Sequence, residues 1–257
     1  LLDFKGTNSL LEELNLSVYT PIDFIKNEYK AYYIEKYKLS GNRGGKLDFE
    51  TQSKGLIYLH RVNLFKRLES SIYSFSETLK RLIEKIDRTI DNLHKGQQIE
   101  EELDVENEDE IYIERSKYEI KVKHLRISAY LEELYNDKEV VEKIFNETLI
   151  LLKEDRDNKI HELEKIVENK VENTPYNAGN RKILIFTAFA DTANYIYSKL
   201  SEKFVEKNIN IASVTGKGVK TTNRKVREDF HNILSAFSPK SKMKIEIPQD
   251  EQIDIIV

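Results

Sequence analysis

Apolar residues recur at three- and four-residue steps through the first two thirds of the chain, then give way to short apolar runs near its end. From Pro21 to Leu39 the positions Ile22, Ile25, Tyr29, Tyr32, Tyr33 and Tyr37 follow helical spacing. Thr20 can cap free N–H groups and Pro21 suits a first turn, while Ser40-Gly41-Asn42-Arg43-Gly44-Gly45 ends the helix in a loop. A second helical block is expected from about Phe49 to His94, with a stripe that includes Leu56, Leu59, Val62, Leu64, Leu68, Ile72, Phe75, Leu79, Leu82, Ile83, Ile86 and Ile90. Gly55 marks a bend in it and Lys95-Gly96 its stop. Helix resumes near Glu119, with breaks expected near Asn136-Asp137, and continues to about Val171. Its apolar side carries Leu149, Leu152, Ile160, Leu163, Ile166 and Val167.

The grammar changes at Arg181. Lys182 to Thr187 (KILIFT) is a short apolar run of the kind that forms a buried parallel strand. Asp191 to Phe204 reads as amphipathic helix, Ile209 to Thr215 as a second strand, Thr222 to Phe237 as a second helix and Ile253 to Val257 as a third strand. Strand and helix in alternation build a doubly wound α/β domain. The expected fold class is therefore α/β plus all-α: a helical region over 1–171 with an acidic, mobile stretch at 96–112, a linker at 172–180 (ENTPYNAGN within it), and a parallel-sheet lobe over 181–257.

Composition narrows the chemistry. With 257 residues the chain can bury a real core, and with no Cys it has no disulfide, Cys-zinc site, iron–sulfur cluster or thiol nucleophile. No apolar run is long enough for a membrane span and the first residues lack signal-peptide anatomy, so a soluble cytoplasmic protein with no membrane partner is expected. The net charge of −4 is not the global signature of a nucleic-acid binder. The charges are unevenly placed, however: Glu100 to Glu110 is almost all acid, whereas Arg61 to Arg88 and Lys217 to Arg227 are locally basic. The start without Met and the stop inside a strand-like run both point to a piece of a longer chain.

Familiar catalytic patterns are missing. Gly41 to Lys46 has the wrong spacing for a P-loop and no strand before it, and Gly216-Lys217-Gly218 follows a strand but lacks the Lys-Ser/Thr pair. The histidines His60, His94, His124, His161 and His231 show no metal-ligand spacing, so no metal is expected, and no catalytic residue can be picked out. Arg61, Lys66 and Arg67 ride beside an apolar stripe. They read either as the solvated edge of a core helix or as cations offered to phosphates, with Ser70-Ser71 small enough for close packing or hydroxyl contact.

Six ordered segments resemble the Snf2-like branch of superfamily 2 helicases. Lys182 to Ala193 (KILIFTAFADTA) is similar to the opening strand and turn of the second RecA-like lobe, and Ile211 to Gly216 to its next strand with a Thr-Gly turn. Arg224 followed by Phe237-Ser238-Pro239 matches a further pattern, as does Ile253 to Val257 for the strand leading into motif V. Leu64 to Ser71 (LFKRLESS) resembles a helix between the two lobes, and Asp157 to Leu163 the helix that precedes lobe two. The resemblance implies an interlobe helical insertion plus the first half of a RecA-like lobe, belonging to an ATP-dependent DNA helicase or translocase. By the same resemblance the fragment holds no cofactor and does not hydrolyse ATP alone. ATP and Mg belong to the full-length protein, where the first RecA-like lobe of the same chain is the partner. Nucleic acid, DNA in the first instance, is the other partner. The implied phosphate contacts are Thr187, Ala188 and Phe189 after the first strand, Thr215, Gly216 and Lys217 after the second, and Arg224. The alternative is a non-enzymatic helical scaffold with an α/β docking domain.

Overall fold

The structure is a computed structural model describing residues 4–36, 49–96, 99–101, 118–173, 179–242 and 247–257. The expected loop at 41–45 and most of the acidic stretch 96–112 lie outside these residues. The chain divides into two compact units, Leu1–Glu69 with Phe75–Leu151, and Ser70–Ser74 with Leu152–Val257. The division thus falls at 151/152 rather than at 172–180, and the first unit is helical while the second is α/β.

The helical unit contains α1 (Phe4–Glu13), α2 (Asn27–Lys36), α3 (Phe49–Ser70), α4 (Ile72–Lys95) and α5 (Ile127–Lys153), with a ribbon of β1 (Ile99–Glu101) and β2 (Tyr118–Ile120). On α4 the core residues Phe75, Leu79, Leu82, Ile86, Ile90 and Leu93 repeat at three and four. They pack with Leu64 and Leu68 of α3 and with Tyr130, Leu134, Val141 and Ile144 of α5. The expected helix from Pro21 is shorter than its periodicity implies. Pro21–Phe24 is a 3-10 turn, and Ile25 is extended and bridges Leu125, so α-helix begins only at Asn27. The block from Phe49 breaks at Ser71 rather than bending at Gly55, because the Ser71 hydroxyl accepts the Ser74 amide (3.2 Å) and caps α4. Leu149 and Ile166, placed on an apolar side by spacing, are exposed; Val167 is buried as expected, and Thr148 and Leu151 are buried beside the exposed Leu149.

Helix α5 does not break at Asn136-Asp137. Its buried positions Tyr130, Leu134, Asp137, Val141, Ile144, Thr148 and Leu151 form one continuous stripe, with a carboxylate inside it. That carboxylate accepts the backbone N–H groups of Asn15 (2.8 Å), Leu16 (3.1 Å) and Ser17 (2.7 Å) and the Ser17 hydroxyl (2.6 Å). Leu16 turns into the left-handed region (φ 50°), which aims successive amides at a single anion. Nearby, the His60 ring stacks on Tyr19 (3.6 Å between centroids), and the Lys85 ammonium lies 4.1 Å from the Tyr19 ring centroid. Burial, aided by the charge on Lys85, lowers the His60 pKa to about 4.

The α/β unit contains α6 (Asn158–Asn173), β3 (Ile183–Leu184), α7 (Ala190–Phe204), β4 (Ile211–Thr215), β5 (Gly218–Thr221), α8 (Phe230–Phe237) and β6 (Ile255–Ile256). Asp157 starts α6 by accepting the amides of Lys159 (3.1 Å) and Ile160 (3.2 Å). The sheet order is β3-β6-β4-β5, with β3, β6 and β4 parallel and β5 antiparallel to β4. Ile211 and Ile255 pack with α6 and α7, whereas Ala212 and Ile256 pack with α8. Adjacent strand residues face opposite ways, so α6 and α7 cover one face and α8 the other.

Two expectations change here. Residues 222–229 are not helical but run in turns between β5 and α8. The Thr222 hydroxyl accepts the Ile211 amide (2.9 Å), the Asn223 side-chain Oδ1 accepts the Lys225 amide (3.0 Å), and Asp229 accepts the Asn232 amide (3.0 Å) to start α8. Short polar side chains thus hold the backbone in turns until Asp229. The run from Lys182 is an edge strand rather than a doubly buried one: Leu184 is 49% and Phe186 87% exposed.

Replacing Asp137 with Ala leaves three amides without an acceptor, and chemical denaturation should show a loss of about 3 kcal/mol or more. The pKa of His60 is about 4 when folded and 6.5 when unfolded, so the native state binds fewer protons between those values. Stability falls as pH drops through that window, by about 3 kcal/mol when complete. His60→Phe keeps the stack and should flatten this part of the pH–stability curve.

Candidate nucleic-acid interface

Parallel pairing decides where the loops go. Strands β3, β4 and β6 all end at the same edge of the sheet, so residues 187–189 and 215–217 flank the end of β6 from either side. Two strand spacings put the two loops about 10 Å apart. Of the seven residues singled out by sequence, six therefore gather at this carboxyl edge. Arg224 does not. It follows β5, which runs the other way and pairs Thr221 with Ala212, so Arg224 lies beyond the amino end of β4.

The six contribute differently. Phe189 is only 3% exposed and its side chain is part of the interior, but its backbone forms the N-cap of α7 without a side-chain hydrogen bond. The amides of the first turn therefore point out at the carboxyl edge, with Asp191 adding a negative charge in that turn. Ala188 is exposed, and Thr187 is half-buried with its hydroxyl oxygen 3.4 Å from the Phe189 amide. Across the edge, the Thr215 hydroxyl donates to the Gly218 carbonyl (3.1 Å) and so spends its proton within the hairpin. Gly216 and Lys217 form the two-residue turn between paired Thr215 and Gly218. Gly218 has φ 154°, which side chains disfavour, and this glycine lets the turn present Lys217 to solvent.

Several cations of the unit are spent on its own carboxylates. Lys203 pairs with Glu164 (3.2 Å) and Glu168 (3.7 Å), and Lys207 with Glu168 (2.6 Å) and Glu172 (2.8 Å). Hydrogen bonding from Lys207, then the charges of Lys203 and Lys207, hold the Glu168 carboxyl below its usual range. Lys225 pairs with Asp250. Lys182 is turned inward, donating to the Ile253 carbonyl (2.7 Å) and to Gln252 Oε1 (3.1 Å), and burial lowers its pKa. Lys217, in the turn, is exposed and has no carboxylate partner among the described residues, as is also true of Lys220 and Arg224.

Sequence reading missed several features near α7. The Ser70 hydroxyl lies 2.9 Å from that of Thr192, and the Tyr73 ring stacks on Tyr195 at 4.7 Å with a 5° interplanar angle. Ser70 thus makes a hydroxyl contact of the kind its small side chain allows, with a partner more than a hundred residues away. In the helical unit, Arg61 donates to the Leu14 carbonyl (Nη2, 2.6 Å) and Arg67 is 4% exposed, so neither is offered to phosphates. Phe186, the exposed ring immediately before Thr187, had been read as core.

Among the described residues, no cluster of three or more His, Asp or Glu could hold a metal ion, and no helix is long and apolar enough to cross a membrane. No family model matches the chain, no curated protein is similar to it in sequence, and no solved structure matches its fold.

Gly218→Ala should cost about 1 kcal/mol or more in thermal or chemical unfolding, because the added Cβ meets no neighbour and the penalty is that of the backbone angle alone.

Proposed function

We propose that this chain is the helical insertion and leading half of the second RecA-like lobe of an ATP-dependent DNA translocase of the Snf2-like kind. The observation that supports the reading best is the shared carboxyl edge: two loops carrying hydroxyls, helix-start amides and one unpaired lysine flank the end of a central parallel strand. Open α/β sheets hold ligands at this edge. Amides and hydroxyls can grip phosphate oxygens without reading bases, which suits a protein that must move along any sequence.

The residues assigned to the grip are Thr187, the backbone of Ala188 and Phe189, Thr215, Gly216 and Lys217. Thr187 can donate its hydroxyl proton outward, Lys217 supplies the charge, and Thr215 with Gly216 sets the shape of the turn that carries it. Arg224 belongs to the opposite edge and is not part of this grip. The described residues hold neither a Lys-Ser/Thr phosphate loop nor a carboxylate cluster for Mg2+, so they do not fit the ATP site of such a motor. That site would belong to the first lobe of the same chain.

Labelled duplex and single-stranded DNA titrated with the chain at two salt concentrations test the grip. Thr187→Ala with Lys217→Ala should weaken binding severalfold and lower the salt slope by about one. Unchanged affinity refutes the residue assignment. A longer parent polypeptide whose ATP hydrolysis is indifferent to DNA refutes the motor, and a parent without a phosphate loop leaves the scaffold reading in its place.

A further inference from the structure

The helical unit carries a second collection of cations, and it is arranged unlike the one on α7. Residues 24–26 and 124–126 run antiparallel, tied by Lys26 N–H to the His124 carbonyl (2.9 Å) and Arg126 N–H to the Phe24 carbonyl (2.8 Å). Side chains add to the tie: Lys26 Nζ donates to the Lys123 carbonyl (2.7 Å), and an Arg126 guanidinium nitrogen to the Asp23 carbonyl (2.7 Å). These partners are neutral carbonyls. Among the described residues Lys26, Lys121, Lys123 and Arg126 have no carboxylate partner, whereas Lys203, Lys207 and Lys225 in the other unit all do. Lys121, Lys123 and Arg126 are exposed.

Aromatic rings run through the same place. Tyr29 stacks on His124 at 3.8 Å, and Tyr33 meets His124 edge-on at 5.8 Å. Tyr32 meets Tyr33 edge-on at 5.0 Å. The buried Tyr33 hydroxyl accepts the Lys121 amide (3.0 Å) and lies 2.9 Å from His124 Nδ1, fixing the cationic segment to α2. Tyr32 is 53% exposed at the end of the array. The field there is positive: beyond burial, Lys123, Lys121 and Lys26 lower the His124 pKa, and Glu28 alone opposes them.

We propose that the face formed by Lys26, Lys121, Lys123, Arg126 and Tyr32 binds single-stranded nucleic acid, with phosphates on the cations and an unpaired base on the Tyr32 ring. The choice of ligand rests on the nucleic-acid reading given above, but the residues are separate from the carboxyl-edge grip. Unpaired cations fixed on a rigid backbone lose little freedom on meeting phosphates, and stacking on an exposed ring needs a base released from a duplex. A bilayer fits less well, since α2 also exposes Glu28 and Glu35.

Fluorescence anisotropy of a labelled 15-nucleotide strand and of its duplex, with the full chain at 50 and 200 mM KCl, tests the inference. Lys121→Ala with Lys123→Ala should weaken strand binding at least tenfold and reduce the salt slope by about 1.4, with helicity and unfolding temperature unchanged. Tyr32→Ala should weaken the single strand about fivefold or more and leave the duplex alone. Parental affinity and slope in the double lysine variant overturn the proposal, as does a parent chain that binds no strand. Loss of binding in the Thr187 and Lys217 variants with none in the Lys121 and Lys123 variants overturns it while sparing the carboxyl-edge reading; the reverse pattern supports this face and sinks the other. Lysine-dependent sedimentation with anionic phosphatidylserine vesicles, without strand binding, also overturns it.

Discussion

One short strand holds the α/β unit in register. Ile255 and Ile256 pair on one side with Ile183 and Leu184 and on the other with Ile211 and Ala212, both in parallel. Bonds from Ile183 to the Asp254 carbonyl (2.9 Å), from Ile185 to that of Ile256 (2.8 Å) and from Val257 to that of Ala212 (2.9 Å) lock both ladders. Parallel neighbours cannot be joined by tight hairpins, so the chain must cross over the sheet and each strand must leave by the same edge. The gathering of residues 187–189 and 215–217 is a consequence of that rule. Weakening β6 would separate the two loops even if neither were touched.

Charge is handled differently in the two units. On α6 and α7 it is spent locally, with carboxylates at Glu164, Glu168 and Glu172 spaced to meet Lys203 and Lys207. Exposed pairs of this kind add little stability, but they neutralise a surface. Beside α2, Lys26 and Arg126 donate to backbone carbonyls, which orient them and leave their charge intact. A modestly negative chain therefore keeps a positive district, which the total alone concealed.

The alternation of strand and helix after Arg181 was legible because each element has its own period, and the structure returns a parallel trio covered on both faces. What misled was local. Thr221, Thr222 and Asn223 compete with a helix through their side chains, so the first half of a span with helical length became turns and only Phe230–Phe237 is helix. Asp137 looked like a breaker because a carboxylate is out of place in an apolar stripe. Its position in step with Leu134 and Val141 was the signal that it faces inward, but its partners at Asn15–Ser17 lie more than a hundred residues away. At the candidate site, strand ends could be read from the sequence, whereas nothing local announces the reversal at Gly216-Lys217 that carries Arg224 to the other edge. Long-range contacts such as Ser70 with Thr192, or Tyr33 with His124, leave no periodic trace.

The two borders of the four-stranded sheet are unequal. β5 presents Lys220 outward next to the Gly216-Lys217 turn, a charged margin that discourages another strand from joining. On the other side, Leu184 in β3 and Phe186 just beyond it are exposed, with no charged residue from 183 to 187. Of the two margins among the described residues, β3 is therefore the one open to a further strand, and β5 the one that discourages it.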